Sequence, residues 1–160
     1  VAEAMFRAYN DHDVDSILEH LTDDVVWAEP SIEEPLRGKD AVAADLKETF
    51  TAFPDMHFRP EDFHVFPSEE KSASIVAWTM TASMTGGPAA GLPATGKSVK
   101  ISGTTYSRFR GELISEYTTV YDSLDMLQQL GMLPKTSGLP FKALVMADVM
   151  AGKAVQAIRR

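Results

Sequence analysis

Gly91 to Ser98 (GLPATGKS) has the spacing of a phosphate-binding loop: glycine, four residues, then Gly-Lys-Ser. Such a loop holds phosphate because a helix begins right after it and aims free N–H groups and a positive dipole end at the anion. Here Val99, Ile101, Gly103 and Thr105 alternate with Lys100, Ser102 and Thr104, which is strand periodicity. The segment therefore reads as a loop entering a strand, and no nucleotide site is expected. Asp11, Asp13 and Asp15 open like a calcium loop, but Ser16 and Thr22 stand where its sixth-position Gly and twelfth-position Glu are required. They read instead as acids at a helix start. His12, His20, His57 and His64 include no His-x-x-x-His pair. On one extended run, His57 and His64 would point to opposite sides, so no metal site is expected. The chain also lacks a Gly-x-Ser-x-Gly elbow and a Gly-x-Gly-x-x-Gly fingerprint, the usual marks of serine hydrolases and dinucleotide enzymes.

What the residues do offer is a set of aromatics able to line a concave interior for a small ligand. Tyr9, Trp27, Phe53, Trp78, Tyr106 and Tyr117 are the candidate walls, because aromatic faces suit a flat polycyclic ligand. Tyr9 and Tyr106 also bring hydroxyls that could donate to a ligand oxygen. Composition is compatible with this. The chain has 160 residues, 44% of them hydrophobic, enough for one domain with a core. A net charge of −8 and scattered Lys and Arg argue against nucleic acid and anionic membrane as partners. No apolar run reaches membrane-spanning length. With no cysteine, disulfides and thiol catalysis are excluded, and a cytoplasmic location is expected. No n-region and h-region are visible at the start of the sequence, so a signal peptide is not expected, and Val1 suggests that a short start is missing.

The elements that must position these residues follow from hydrophobic period. Residues 1–20 read as two helices, the first carrying Ala4, Met5, Ala8 and Tyr9, the second capped by Asp13 and carrying Val14, Ile17, Leu18 and Leu21. Val25 to Trp27 is a short strand, and residues 29–38 are a loop. Lys39 to Phe53 is an amphipathic helix with Ala43, Leu46, Phe50 and Phe53 as its stripe, ended by Pro54. The period then changes to two. Met56–Phe66, Ser72–Thr85, Ser98–Phe109 and Leu113–Asp122 are four strands, followed by a short helix from Ser123 to Leu130 closed by Gly131. Residues 135–160 form an extension with a helix from Phe141 to Ile158, flawed at Gly152. The class is α+β, with a curled antiparallel or mixed sheet wrapped around the helices and a concave interior.

Several stretches in order carry a family resemblance: AYNDHDVDSILEHLTDDVVWAEP, PLRGKDAV, FPDMHF, GLPATGKSVKISGTTYSRF and YDSLDMLQQLG. Over residues 1–134 the chain resembles the SnoaL-like polyketide cyclases of the nuclear transport factor 2-like superfamily. The resemblance implies a cone-shaped α+β barrel, no cofactor, and ring closure of a polyketide ester by intramolecular aldol condensation. It also implies an aspartate acid/base near the end of the last strand, a motif that Asp122 fits best here. Two departures stand out. Thr118 and Thr119 occupy positions where the family often has an aromatic and an acid, and Arg110-Gly111-Glu112 replaces the usual Asp-Gly hairpin.

Asp122 alternates in phase with Ile114, Glu116, Thr118 and Val120, so it faces the pocket if Val120 and Ile114 do. Otherwise it only caps the helix at Ser123. Glu116 shares that face, and Glu29 lies near where related isomerases carry an acidic base. The expected catalytic set is thus Asp122, Glu29 and Glu116, with Thr118 added to the aromatic pocket residues. Burial would raise the pKa of such a carboxyl and strengthen it as a base. The expected function is a cofactor-independent cyclase acting on a small apolar or polycyclic aromatic substrate. The alternatives are an isomerase, an epoxide hydrolase, a cofactor-free hydroxylase, or a non-catalytic binding protein. A homodimer is expected through the outer face of strands 72–85 and 98–109.

Overall fold

The structure is a computed structural model; it describes residues 1–88, 91 and 93–158, the side chains of 144 and 151–158 apart. Two short helices open the chain, α1 (Ala2–Asn10) and α2 (Val14–Glu19). Asp13 caps α2 as its sequence position requires, accepting from Ser16 N–H at 3.0 Å and from the Ser16 hydroxyl at 2.7 Å. Strand β1 (Leu21–Ala28) is longer than the three residues expected and begins with Leu21, which the helical period assigns to α2. A loop leads to β2 (Leu36–Arg37) and then to α3 (Lys39–Ala52). Gly38, at φ +82°, makes the turn into α3, where a Cβ would crowd the Asp23 carbonyl at 3.3 Å. The buried stripe of α3 is Val42, Leu46 and Phe50, one position removed from the Ala43 that periodicity suggested.

The run expected as one strand from Met56 to Phe66 is broken in two. Pro60 starts a 3₁₀ turn (Pro60–Asp62) between β3 (His57–Phe58) and β4 (His64–Pro67). His57 and His64 therefore sit on different strands, both exposed. The long strands β5 (Ala73–Ser83), β6 (Ser98–Arg110) and β7 (Leu113–Tyr121) form a meander. Ser98 leads into β6 with no helix, as strand periodicity required of the Gly-Lys-Ser segment; Leu92 of that segment lies outside the described residues.

The sheet order is β2-β1-β7-β6-β5-β3, with β4 also on β5. β1 joins β7 in parallel and every other pair is antiparallel, so the sheet is mixed. One core lines its concave side, from Met5, Phe6 and Tyr9 through Val42, Leu46 and Phe50 to Trp27, Trp78, Val99 and Tyr117. Two helices follow, α4 (Ser123–Gln129) and α5 (Leu139–Ile158). Along α5, Val145, Met146, Val149 and Met150 are exposed. Leu144, Val155 and Ile158, further apolar residues of this helix, have side chains outside those described. No helix among the described residues is long and apolar enough to cross a membrane.

One irregularity governs where side chains point. Between β6 and β7 the register passes from Arg108 opposite Glu116 to Phe109 opposite Ile114, a β-bulge. At the bulge both Ile114 and Ser115 are buried, and the alternation resets after them. Beyond it Tyr117 and Thr119 are buried, while Thr118 is exposed and Val120 is 58% exposed. Ile114 and Val120 therefore lie on opposite faces, although they share parity.

Candidate active site

The sheet closes over α1, α3 and α4 to leave a cavity of about 540 Å³. Its inner wall is apolar and aromatic: Tyr9, Trp27, Phe58, Trp78, Met80, Met84, Val99, Ile101 and Tyr117. Met126, Leu127 and Leu130 bring α4 to another side. Pro30, Ser31 and Glu48 are lining residues that also reach solvent, and they mark the opening. Many walls are held by ring contacts. Trp27 stacks on Tyr117 with centroids 3.9 Å apart and planes at 13°. Phe58 meets Phe6, Tyr9 and Trp78 edge-on at 5.0, 5.3 and 5.3 Å. The Trp27 indole, 1% exposed, has no acceptor for its N–H among the described residues.

Polar groups enter this cavity in two sets. The inner set is hydroxyls. Trp78 Nε1–H donates to Thr105 Oγ1 at 2.9 Å, and Thr105 Oγ1 lies 3.1 Å from Thr119 Oγ1. The Tyr117 phenol sits beside both threonines and the Tyr9 phenol. Burial pushes the Tyr117 phenol up to about 12, and the Tyr121 phenol likewise to about 12 with help from the Glu29 charge. Tyr9 is raised well above the ordinary phenol value, by burial first and then by its neighbour Tyr117. All three phenols are therefore protonated donors at neutral pH.

The outer set is carboxyls. Glu29, just past the end of β1, accepts from the Ser31 hydroxyl at 2.7 Å. Burial raises its pKa, the Ser31 hydrogen bond opposes the rise, and the Asp45 charge adds to it. Asp45 on α3 is raised too, by burial and then by Glu48 one turn away. Among the described lining residues Glu29, Asp45 and Glu48 are the acids, and none is Lys, Arg or His.

Residues 1–130 match the family described as SnoaL-like polyketide cyclase. This chain belongs to that family. Solved structures repeat the fold of this SnoaL-like protein. A proposed polyketide cyclase from Xanthomonas campestris pv. campestris is 21% identical, with a TM-score of 0.72 over 81% of this chain and 93% of that one. One from Silicibacter sp. is 23% identical, with a TM-score of 0.72 over 80% and 90%. AclR, a proposed hydroxylase from Streptomyces galilaeus, is 23% identical, with a TM-score of 0.68 over 99% and 94%. At these identities the likeness is one of fold. The search of curated proteins found no match.

Against this cavity the residues singled out by sequence divide cleanly. Tyr9, Trp27, Glu29, Phe53, Trp78 and Tyr117 line it. Asp122 does not: it is exposed and accepts from Asp125 N–H at 2.9 Å as the N-cap of α4. Thr118 and Tyr106 also face away, opposite each other on β7 and β6, and the Arg108 guanidinium donates to the Tyr106 hydroxyl at 3.3 Å. Glu116 is paired with Arg108 at 3.7 Å and borders a separate surface cleft with Asp24, Arg37 and Arg110. The bulge is the physical reason in each β7 case, since parity counted through it assigns Thr118 and Asp122 to the wrong face. His12 stacks on Phe50 at 4.4 Å and lies 3.1 Å from the Met56 carbonyl, a packing role. Sequence reasoning missed Asp45, Thr105 and Tyr121. Thr105 and Tyr121 were findable from the β6 and β7 alternation once the bulge is placed. Asp45 was findable as the polar neighbour of Leu46 on the inner face of α3.

Proposed function

We propose that this protein is a cofactor-independent cyclase that closes a ring of a polyketide ester by intramolecular aldol chemistry, with Glu29 as its acid/base. The observation that carries the reading is a carboxyl with a raised pKa set at the opening of an apolar cavity whose inner wall offers neutral phenol donors. In the reaction, the Glu29 carboxylate takes a proton from a carbon flanked by carbonyls. The resulting enolate carbon bonds to a second carbonyl carbon of the same molecule, and that carbonyl's oxygen becomes an alkoxide. Protonated Glu29 returns the proton to this alkoxide, so the product is an isomer of the substrate. One positioned carboxyl can serve both steps because its pKa has moved toward neutrality. The cavity folds the flexible chain so that donor and acceptor carbons meet.

Asp45 beside Glu29 favours one second reading. Two carboxyls at one opening can hold and activate a water, as an epoxide hydrolase would. Mass separates the two. Polyketide β-keto esters incubated with the protein are expected to give a new species of unchanged mass, whereas hydrolysis adds a water. Glu29→Gln is expected to slow the conversion about 10²–10⁴-fold. Undiminished turnover by a folded Glu29→Gln protein would remove Glu29 as the base.

A further inference from the structure

We propose that Trp78 and Thr105 are positioning residues that turn the hydroxyls of Thr119 and Tyr117 into a donor face gripping a ketone or enolate oxygen of the ligand. The inference rests on the cavity being the substrate site and adds the ligand chemistry of its inner wall.

The argument is one of proton direction. An indole N–H can only donate, so Thr105 Oγ1 must accept from Trp78 at 2.9 Å. Trp78, Thr105 and Thr119 bring three protons to two hydrogen bonds, the second being the 3.1 Å Thr105–Thr119 contact. One threonine proton is left over. Its outlets are the Tyr117 phenol oxygen beside both threonines, the Tyr9 phenol oxygen next along the hydrogen-bond chain, and the cavity itself. By each route one hydroxyl proton is left for the cavity, because a phenol that accepts still has its own proton to give and both phenols line the cavity. Trp78 is 4% exposed, Thr105 1% and Thr119 9%, so bulk water does not screen the chain. Trp78, Thr105, Tyr117 and Thr119 all line the cavity. An oxygen with lone pairs and no proton, a ketone or an enolate, completes this arrangement. A hydrocarbon face leaves it incomplete.

The test uses 1-tetralone and tetralin, bicyclic probes that differ by one carbonyl. On the wild-type protein, the infrared carbonyl stretch of bound tetralone is expected to lie below its position in alkane solvent, as for a hydrogen-bonded ketone. Thr119→Val, which keeps the shape and loses the hydroxyl, is expected to bind tetralone roughly tenfold more weakly. It should return the stretch toward the alkane value and leave tetralin binding unchanged. Thr105→Val is expected to do the same through the broken link to Trp78, and Thr105→Ser to restore both signals. If Thr105→Val fails to fold, Thr119→Val and Thr105→Ser decide. An alkane-like stretch on the wild type, or equal losses of tetralone and tetralin, would overturn the inference. So would a Thr119→Val protein that keeps both signals. Glu29→Gln should keep the carbonyl shift, so a wrong assignment of the base shows in turnover and leaves this test standing. If neither bicycle binds, the donor face does not grip a carbonyl and this inference falls, while the cyclase reading is still decided by turnover.

Discussion

Asn10→Ala is expected to cost this fold about 2–4 kcal/mol, and the reason lies in where one short strand finds its hydrogen bonds. Asn10 ends α1, and its side chain behaves like a neighbouring strand. Its Nδ2 donates to the Phe58 carbonyl at 2.9 Å and its Oδ1 accepts from Phe58 N–H at 2.7 Å, both partly buried. The adjacent Arg59 N–H donates to Thr79 O on β5 at 2.9 Å, so the peptide groups of Phe58 point the other way, off the sheet edge. Alanine would leave both groups of Phe58 without a protein partner. Two net bonds of about 1 kcal/mol each set the lower bound, and partial burial of the orphaned groups adds about 1–2 kcal/mol. Against a typical total of about 5–15 kcal/mol this is large. At roughly 2–4 °C per kcal/mol for this size, the melting temperature should fall by about 5–15 °C. Urea titration should show a lower midpoint at unchanged slope. A loss under about 0.5 kcal/mol would mean that water replaces Asn10 freely and that the buried-pair reasoning is wrong. Phe58 walls the cavity beside Tyr9, so the variant should also loosen ligand binding.

Asp122→Asn is expected to leave both stability and turnover nearly unchanged, because Asn caps a helix as well as Asp does, whereas Asp122→Ala should cost about 1 kcal/mol in urea titration. A large fall in turnover with Asn would return Asp122 to the site. Gly103→Ala should destabilise by about 1–3 kcal/mol, since its Cβ would stand 2.5 Å from Trp78 Cζ2 and 2.7 Å from the Val120 carbonyl. Wild-type melting would refute this. Glu29 has a raised pKa in the folded chain, so as pH rises between the unfolded and folded values the unfolded chain loses its proton first and stability falls. Glu29→Gln should therefore melt higher than wild type at neutral pH, and the gap should close in acid below the ordinary glutamate range. A variant less stable at neutral pH would contradict the burial of that carboxyl. Turnover by the wild type should rise through the same shifted pKa, with its acid limb above the ordinary glutamate value.

The architecture was legible because its signals are long. Hydrophobic period distinguished α3 from three strands of nine to thirteen residues, and Asp13 announced the cap of α2. The cavity aromatics were legible for the same reason: Tyr9, Trp27, Trp78 and Tyr117 sit at inward positions of regular elements. What failed was local. Pro60 split an apparently continuous run into β3 and β4, and no period can report a turn that its own residues interrupt. The bulge opposite Arg108–Phe109 changed the parity of β7, which carried Thr118 and Asp122 outward. Bulges are set by how two strands pair, and that information lies in neither strand read alone.

The displacement of Asp122 has a chemical consequence. With that aspartate capping α4 and Thr119 on the inward face of β7, hydroxyls occupy the inner wall and carboxyls stand at the opening. An acid deep in the cavity would have to carry its charge among apolar and aromatic side chains, at a cost set by desolvation. Glu29 meets a milder penalty, because Ser31 donates to it and solvent reaches the residues around it. Its pKa is raised, but it can still exchange its proton with water. A substrate oxygen held by the inner donors would place its acidic carbon toward this rim. Base and donors would then act on opposite ends of one enolising unit, which is the division of labour that proton abstraction beside a carbonyl requires.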